Sequence, residues 1–200
     1  MYTVIGATNN RTIRVIWMLE ELDQPYTRVL AKSHTPEVTA QSTLGKIPVL
    51  LDGADAITDS AAILTYLADK HGQFTAPPGT VARGQQDAIM HQVLDDLEGV
   101  IWTATRHMFI VPEEHRIPEL RPQLKWEFGR NAQALADRMQ GEYLTGDTPT
   151  VPDFLAAHTL RWAMGAKFPI ESDRLRAFAQ RMFDRPAFQR ALESERTSAG

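Results

Sequence analysis

Residues 42–53 read Ser-Thr-Leu-Gly-Lys-Ile-Pro-Val-Leu-Leu-Asp-Gly and residues 57–60 read Ile-Thr-Asp-Ser, and these two segments are the most specific motifs in the chain. Pro48 has no N–H and cannot sit in a central strand, so Ile47-Pro48 is predicted to end a loop and open an edge-like strand, Val49–Leu51. An X-Pro bond can be cis, which would turn the peptide groups of Ile47 toward a ligand, and the sequence leaves the isomer open. Because Asp52-Gly53 is a strong turn signal, Val49–Leu51 and Ala56–Ile57 are predicted to pair as a hairpin.

A helix is predicted to begin at Asp59 and Ser60. From Ala61 onward, apolar residues recur on one helical face. The first turn of a helix has unpaired N–H groups, which attract a carboxylate, and the charge of Asp59 can pair with an amine. An α-amino acid head group carries both of these groups, so this helix start is predicted to bind one.

Together the two segments resemble the glutathione-binding half of the glutathione transferases of the cytosolic bacterial type. The family pattern, Gly-Lys-Val-Pro followed by Glu/Asp-Ser, corresponds here to Gly45-Lys46-Ile47-Pro48 and Asp59-Ser60. In that family the proline is cis, the backbone of the preceding residue holds the cysteinyl part of glutathione, and the acidic-Ser pair holds the γ-glutamyl part. The resemblance implies these roles for Ile47, Pro48, Asp59 and Ser60. A strand edge and an ordinary helix cap would explain either half of the motif by itself.

The composition indicates a globular protein and excludes several classes of function. With 43% hydrophobic and 23% charged residues the chain can bury a sizeable core, and a net charge of −4 without a basic block argues against nucleic acid or an anionic membrane as partner. No apolar stretch is long enough to span a bilayer and no signal sequence is evident, so a cytoplasmic protein is expected. The chain has no cysteine, which excludes a cysteine nucleophile, and its six histidines lack metal-ligand spacing, so no metal is expected.

The order of predicted elements gives an α+β first domain. A strand at Tyr2–Ala7, a helix ended by Pro25 and a strand at Tyr26–Leu30 precede the hairpin and its following helix, which is a βαβ-ββα order. The first two strands need a crossover helix and are therefore predicted to be parallel, whereas the hairpin is antiparallel. The expected fold is a thioredoxin-like domain with a mixed sheet over residues 1–75.

An all-α second domain is predicted over residues 85–200. Gly and Pro residues delay the next helix after the first domain, and the linker is placed at 76–84. Beyond it the apolar residues recur at helical spacing throughout. Thr150 and Asp153 have the spacing of a helix capping box, so Asp153 is interpreted as structural.

A transferase must stabilise the thiolate of glutathione, because a thiol with a pKa of about 8.5 is mostly protonated at pH 7. Hydrogen-bond donors meet this need. The position that carries Ser or Cys in many classes of the family falls here on Asn9, which departs from the pattern. The Asn9 amide and the hydroxyls of Thr8 and Thr12 are the predicted donors, with Arg11 adding positive charge at the glutathione site. The alternative is that residues 8–12 form only a polar turn and helix cap.

The remaining predicted site residues lie around the two ends of the ligands. By family position and charge, His34 and Lys46 are candidates for the glycine carboxylate of glutathione. Residues that follow a long helix of the second domain are predicted to line the electrophile pocket, with core or dimer packing as the alternative: Trp102, Arg106, His107 and Phe109.

The favoured function is a homodimeric glutathione transferase that conjugates glutathione, as co-substrate, to a small apolar electrophile, an activity typical of detoxification. Two alternatives stay open. The same thiolate could reduce peroxides or disulfides, or the protein could bind glutathione without catalysis, which Asn9 keeps possible. The sequence does not identify the electrophile.

Overall fold

A computed structural model describes residues 1–197 of the chain. These residues pack as two compact units, the first formed by Met1–Pro78 together with the segment from Phe183 onward, and the second by Gly79–Met182. Within residues 1–197, no helix combines the length and the apolar character needed to cross a membrane.

The first unit contains a four-stranded mixed sheet. Its strands are β1 (Tyr2–Gly6), β2 (Tyr26–Leu30), β3 (Val49–Asp52) and β4 (Asp55–Thr58), in the spatial order β2-β1-β3-β4. β1 pairs with β2 in parallel, and the β1–β3 and β3–β4 pairs are antiparallel. The predicted mixed sheet of the α+β domain is therefore confirmed. The expectation that the strand after Pro48 is edge-like is wrong, because β3 lies between β1 and β4.

Nine α-helices lie within the described residues. In chain order they are α1 (Thr12–Glu21), α2 (Pro36–Thr39), α3 (Ser60–His71), α4 (Val81–Gln92), α5 (Gly99–Thr105), α6 (Leu120–Arg138), α7 (Val151–Gly165), α8 (Asp173–Phe183) and α9 (Pro186–Thr197). The second unit is helical, as predicted. Its first helical stretch is continuous, because π-helical turns at Val93–Glu98 and Arg106–Ile110 follow α4 and α5 directly.

Helix α1 is buried on all sides, and this explains why the last helix belongs to the first unit. Every residue from Thr12 to Leu19 is buried, which requires cover beyond the sheet and α3. Helix α9 supplies that cover: the Trp17 ring packs on Phe188 with 4.5 Å between ring centres. From the sequence alone, the whole of 85–200 is predicted to form the second domain. The periodicity of a C-terminal helix shows that it has an apolar face but not which unit that face covers.

The start of α7 is fixed by a buried carboxylate. Asp153 is fully buried, and its side chain accepts hydrogen bonds from the N–H of Leu144 (2.8 Å) and from the N–H (2.7 Å) and hydroxyl (2.9 Å) of Thr150. The predicted capping box is present. Burial raises the pKa of Asp153 to about 6, and the hydrogen bonds from Leu144 and Thr150 oppose this rise.

Candidate functional site

The sheet brings the predicted glutathione-binding segments to one edge. Val49 at the start of β3 pairs with Ile5 near the end of β1 and with Thr58 at the end of β4, while Gly6 pairs with Leu30 at the end of β2. The residues that follow β1, β2 and β4 and those that precede β3 therefore leave the sheet at the same edge. These are the segments that contain Asn9, His34, Asp59 and Pro48.

In the loop before β3, the Ile47 side chain is turned inward. The Ile47-Pro48 peptide bond is cis. Ile47 packs against the buried cluster of the first unit that contains Val38 and Val49, so its backbone is the part that remains for a ligand. Pro48 is buried and Lys46 is exposed.

His34 lies directly against this loop. Its N–H donates to the carbonyl of Gly45 at 2.8 Å, and a Cβ on Gly45 would lie 2.3 Å from His34 Nδ1. Gly45 also has a φ of 63°, a conformation that favours glycine. A side chain at position 45 would therefore displace the His34 ring. The exposed basic residues His34 and Lys46 both lie at this turn, His34 against Gly45 and Lys46 next to it in the chain.

Asp59 is the N-cap of α3. Its Oδ1 accepts from the N–H groups of Ala61 (2.8 Å) and Ala62 (3.2 Å), and its side chain is exposed. The expectation that the first turn leaves these N–H groups unpaired is therefore wrong for Ala61 and Ala62, because Asp59 itself caps them. The carboxylate remains at the surface, where its negative charge faces solvent.

Ser60 occupies a buried position next to this cap. It is 4% exposed, and its Oγ accepts a hydrogen bond from Arg14 Nη1 at 3.1 Å. Arg14 is a fully buried residue of α1 that the sequence interpretation did not single out. The available signal was a lone arginine within an apolar run, residues 13–19, since a buried charge needs polar partners.

The turn after β1 is organised by Asn10, a second residue that the sequence interpretation missed. Asn10 Oδ1 accepts from the N–H (2.8 Å) and the hydroxyl (2.7 Å) of Thr12, and its Nδ2 donates to the carbonyl of Thr8 (3.0 Å). Thr12 is fully buried, and a Cβ on Gly6 would lie 2.2 Å from its Oγ1. The hydroxyl hydrogen of Thr12 is thus directed to Asn10, which makes Thr12 a helix-start residue and does not place it as a donor to a thiolate.

Asn9 stands at the tip of this turn. It is exposed and has a φ of 57°, a left-handed conformation that asparagine tolerates better than most residues. Its backbone N–H donates to Oε1 of Glu195 at 3.1 Å. Thr8 and Arg11 beside it are half-buried.

The predicted electrophile-pocket residues lie on α5 and the π-helical turn after it. The Arg106 guanidinium carbon is 5.9 Å from the centre of the Trp102 ring, and Nη2 donates to Thr103 Oγ1 at 3.3 Å. Nδ1 of His107 is buried and accepts or donates no hydrogen bond within residues 1–197. Phe109, in contrast, is 67% exposed. The structure therefore brings Trp102 and Arg106 together and leaves Phe109 at the surface.

Metal ligands do not cluster in the described part of the chain. No group of three or more histidine, aspartate or glutamate side chains within residues 1–197 could hold a metal ion.

The fold and this edge of the sheet define a thioredoxin-like domain, with a cis-proline loop beside a capped helix start, followed by helices. A family profile described as glutathione S-transferase, N-terminal domain, matches residues 10–77. Glutathione S-transferase GstA of Escherichia coli O157:H7 is 31% identical over 155 residues, which cover 76% of this chain and 74% of that protein. The chain belongs to the glutathione transferase family.

Two solved structures show the same architecture. The theta class glutathione S-transferase of Xanthomonas axonopodis pv. citri, with glutathione bound, is 27% identical, has a TM-score of 0.77 and covers 95% of this chain and 96% of its own. A glutathione transferase of Phanerochaete chrysosporium with oxidized glutathione has a TM-score of 0.86 at 21% identity, covering 99% and 96% of the two chains. The second likeness concerns the fold alone.

Proposed function

We propose that this protein is a glutathione transferase that binds glutathione at the sheet edge described above and conjugates its thiolate to a small apolar electrophile. The observation that carries the proposal is the register of the sheet, which gathers Asn9, His34, Pro48 and Asp59 at one edge. These segments offer different chemistry to the three residues of glutathione, and membership of the family is consistent with such a ligand.

Each part of glutathione has a counterpart in this proposal. The exposed Asp59 carboxylate pairs with the ammonium of the γ-glutamyl group. The backbone of Ile47 holds the cysteinyl part, and the basic side chains of His34 and Lys46 face the glycine carboxylate. Ser60 is buried against Arg14, so we assign it to the support of this helix start and expect it to affect affinity less than Asp59.

The thiolate is stabilised by donors at the Asn9 turn. The side chains of Asn9 and Thr8 provide them, since the Thr12 hydroxyl is directed to Asn10. Lowering a thiol pKa by about 1–2 units requires about 1.4–2.7 kcal/mol of preferential interaction with the thiolate, which one or two hydrogen bonds supply.

The electrophile is held by residues of the second unit. The Arg106 guanidinium lies over the Trp102 ring, so the two residues together offer apolar contact area and a positive charge to the electrophile. Phe109 contributes apolar surface at the rim. His107 completes the set that the sequence predicted.

Ligand-dependent stability and turnover together test this function. Glutathione at 100 times its dissociation constant is expected to add about 2.7 kcal/mol to the free energy of unfolding, measured as a rise in Tm. Turnover with a generic aromatic electrophile, but not with an organic peroxide or a disulfide, would support transfer over reduction. Stabilisation without any turnover would identify a binding protein, and the absence of stabilisation would contradict the whole proposal.

Removal of the Asn9 side-chain amide is expected to raise the thiol pKa of bound glutathione by about 1–2 units, because losing a hydrogen bond to a charged group costs roughly 1.5–3 kcal/mol. Asn9→Gly is the variant of choice, since glycine keeps the φ of 57° without strain. Thiolate absorbance of the bound ligand against pH measures the effect, and kcat should fall with it. Thr8→Ala should have a smaller effect. An unchanged thiol titration in Asn9→Gly would remove Asn9 from the site.

The protein is expected to be a two-fold symmetric homodimer in the cytoplasm, as the family resemblance implies. The second unit exposes the large apolar side chains of Ile110 (59%) and Trp126 (59%), which a two-fold symmetric contact would cover. Sedimentation velocity at micromolar concentration checks the assembly. A monomer across that range would contradict it.

A further inference from the structure

Glu195 is a buried carboxylate that lies at the turn after β1, although it comes from the far end of the chain. It lies in the last described turns of α9, is 6% exposed, and its Oε1 accepts the N–H of Asn9 at 3.1 Å. A buried carboxylate is costly unless polar groups compensate it. The proposed transferase mechanism gives this group no role.

The position of Glu195 is fixed by the docking of α9 on the rest of the first unit. Arg185 donates two hydrogen bonds to the Glu21 carboxylate (2.5 and 2.7 Å). Near the other end of the helix, Arg28 Nη1 donates to the carbonyl of Ser194 at 2.7 Å. Because the residue next to Glu195 is held in this way, the carboxylate reaches Asn9 from a fixed point.

Asn9 needs such a fixed contact. A non-glycine residue with a positive φ persists where its surroundings hold it, and such residues cluster at functional sites. The hydrogen bonds of Asn10 hold the neighbours Thr8 and Thr12, whereas Glu195 holds the peptide N–H of Asn9 itself. The direction of the Asn9 carboxamide depends on the orientation of that peptide.

We propose that Glu195 is a positioning residue: it holds Asn9 in the left-handed conformation that presents the Asn9 carboxamide to the glutathione sulfur. The inference rests on the proposed function. Glu195 acts through orientation and not through its charge, because a negative charge near the sulfur disfavours the thiolate. In this way a residue of α9, near the C-terminus, affects the reactivity of glutathione bound near the N-terminus.

Two charge-matched comparisons separate orientation from charge. Glu195→Asp keeps the charge but is one methylene too short to reach Asn9, so the pKa of bound glutathione should rise relative to the unaltered protein. Glu195→Gln and Glu195→Ala are both neutral, and only the first retains an acceptor, so the thiol pKa should be higher in Glu195→Ala. In each comparison we expect the thiol pKa to differ by about one unit and kcat to be about tenfold lower in the variant that does not reach Asn9. KM for glutathione should differ less than about twofold.

Two variants on the same helix serve as controls. Glu193→Gln removes an exposed carboxylate that pairs with Arg196. Arg190→Gln removes the ion pair with Glu20 but leaves the Arg185 and Arg28 contacts that fix Glu195 in place. Both should leave the thiol pKa unchanged, although Arg190→Gln should lower Tm.

Equal thiol pKa values within both comparisons, with only Tm reduced, would overturn the proposal and make Glu195 a docking residue. If Glu195→Ala fails to fold, the Glu195→Asp comparison decides alone. Failure of the proposed function looks different: the unaltered protein itself would then bind no glutathione in calorimetry. Binding by the unaltered protein with an unshifted thiol pKa in Glu195→Asp refutes this inference only.

Discussion

Asp59→Asn is expected to weaken glutathione binding about ten- to a hundredfold, because it removes a charge-assisted hydrogen bond worth roughly 1.5–3 kcal/mol. In this structure the substitution removes the charge but keeps the helix cap and the backbone conformation. Asparagine retains an oxygen that can accept from the N–H groups of Ala61 and Ala62, and it tolerates the φ of 71° found at this position. The loss should therefore come from the charge and not from the helix cap.

Calorimetry measures the affinity, and kinetics shows where the effect falls. The γ-glutamyl end is remote from the sulfur, so the interaction is nearly equal in the ground and transition states and should appear mainly in KM. Asp55→Asn is the matched control, since Asp55 is an exposed aspartate at the opposite end of β4. Unchanged glutathione affinity in a folded Asp59→Asn protein would reduce the acidic-Ser pair to a helix cap.

Asp153→Ala is expected to lower the free energy of unfolding by about 2–4 kcal/mol, since it leaves the buried N–H of Leu144 and the partly buried N–H of Thr150 without their acceptor. Part of the loss is offset by removal of a buried charge. Urea denaturation measures the change. Asp147→Ala is a suitable comparison because Asp147 is exposed in the same connection between helices, and a loss no larger than that of Asp147→Ala would contradict the structural role.

The same carboxyl gives a pH dependence of defined sign. Because the pKa of Asp153 is raised to about 6 in the folded protein, the folded state binds this proton more tightly than the unfolded chain, whose aspartate pKa is about 4. The contribution is thus fully present below about pH 4 and is lost as the pH rises through 6. Asp153→Asn does not titrate, so its difference in stability from the unaltered protein isolates the effect. That difference should fall by about 2–3 kcal/mol between pH 4 and pH 7, and a rise would contradict the assignment.

The sequence by itself determined the features that depend on local hydrogen bonds and on periodicity. The Asp52-Gly53 hairpin, the mixed sheet and the capping box at Thr150 each involve residues close in the chain or a topology with few alternatives. The spacing of Gly45-Lys46-Ile47-Pro48 and Asp59-Ser60 was sufficient to indicate the family. These residues lie within 16 positions of one another, so their spacing can be read directly from the sequence.

The tertiary structure decided which polar groups remain for a ligand. The sequence shows Thr12 and Ser60 as hydroxyls near the site, but only packing directs one to Asn10 and the other to Arg14. Likewise, nothing in the chain order relates Asn9 to Glu195, which lies 186 residues away. Such contacts depend on how an apolar helix, α1, is covered from both sides, and residue patterns report that a face is apolar but not what covers it.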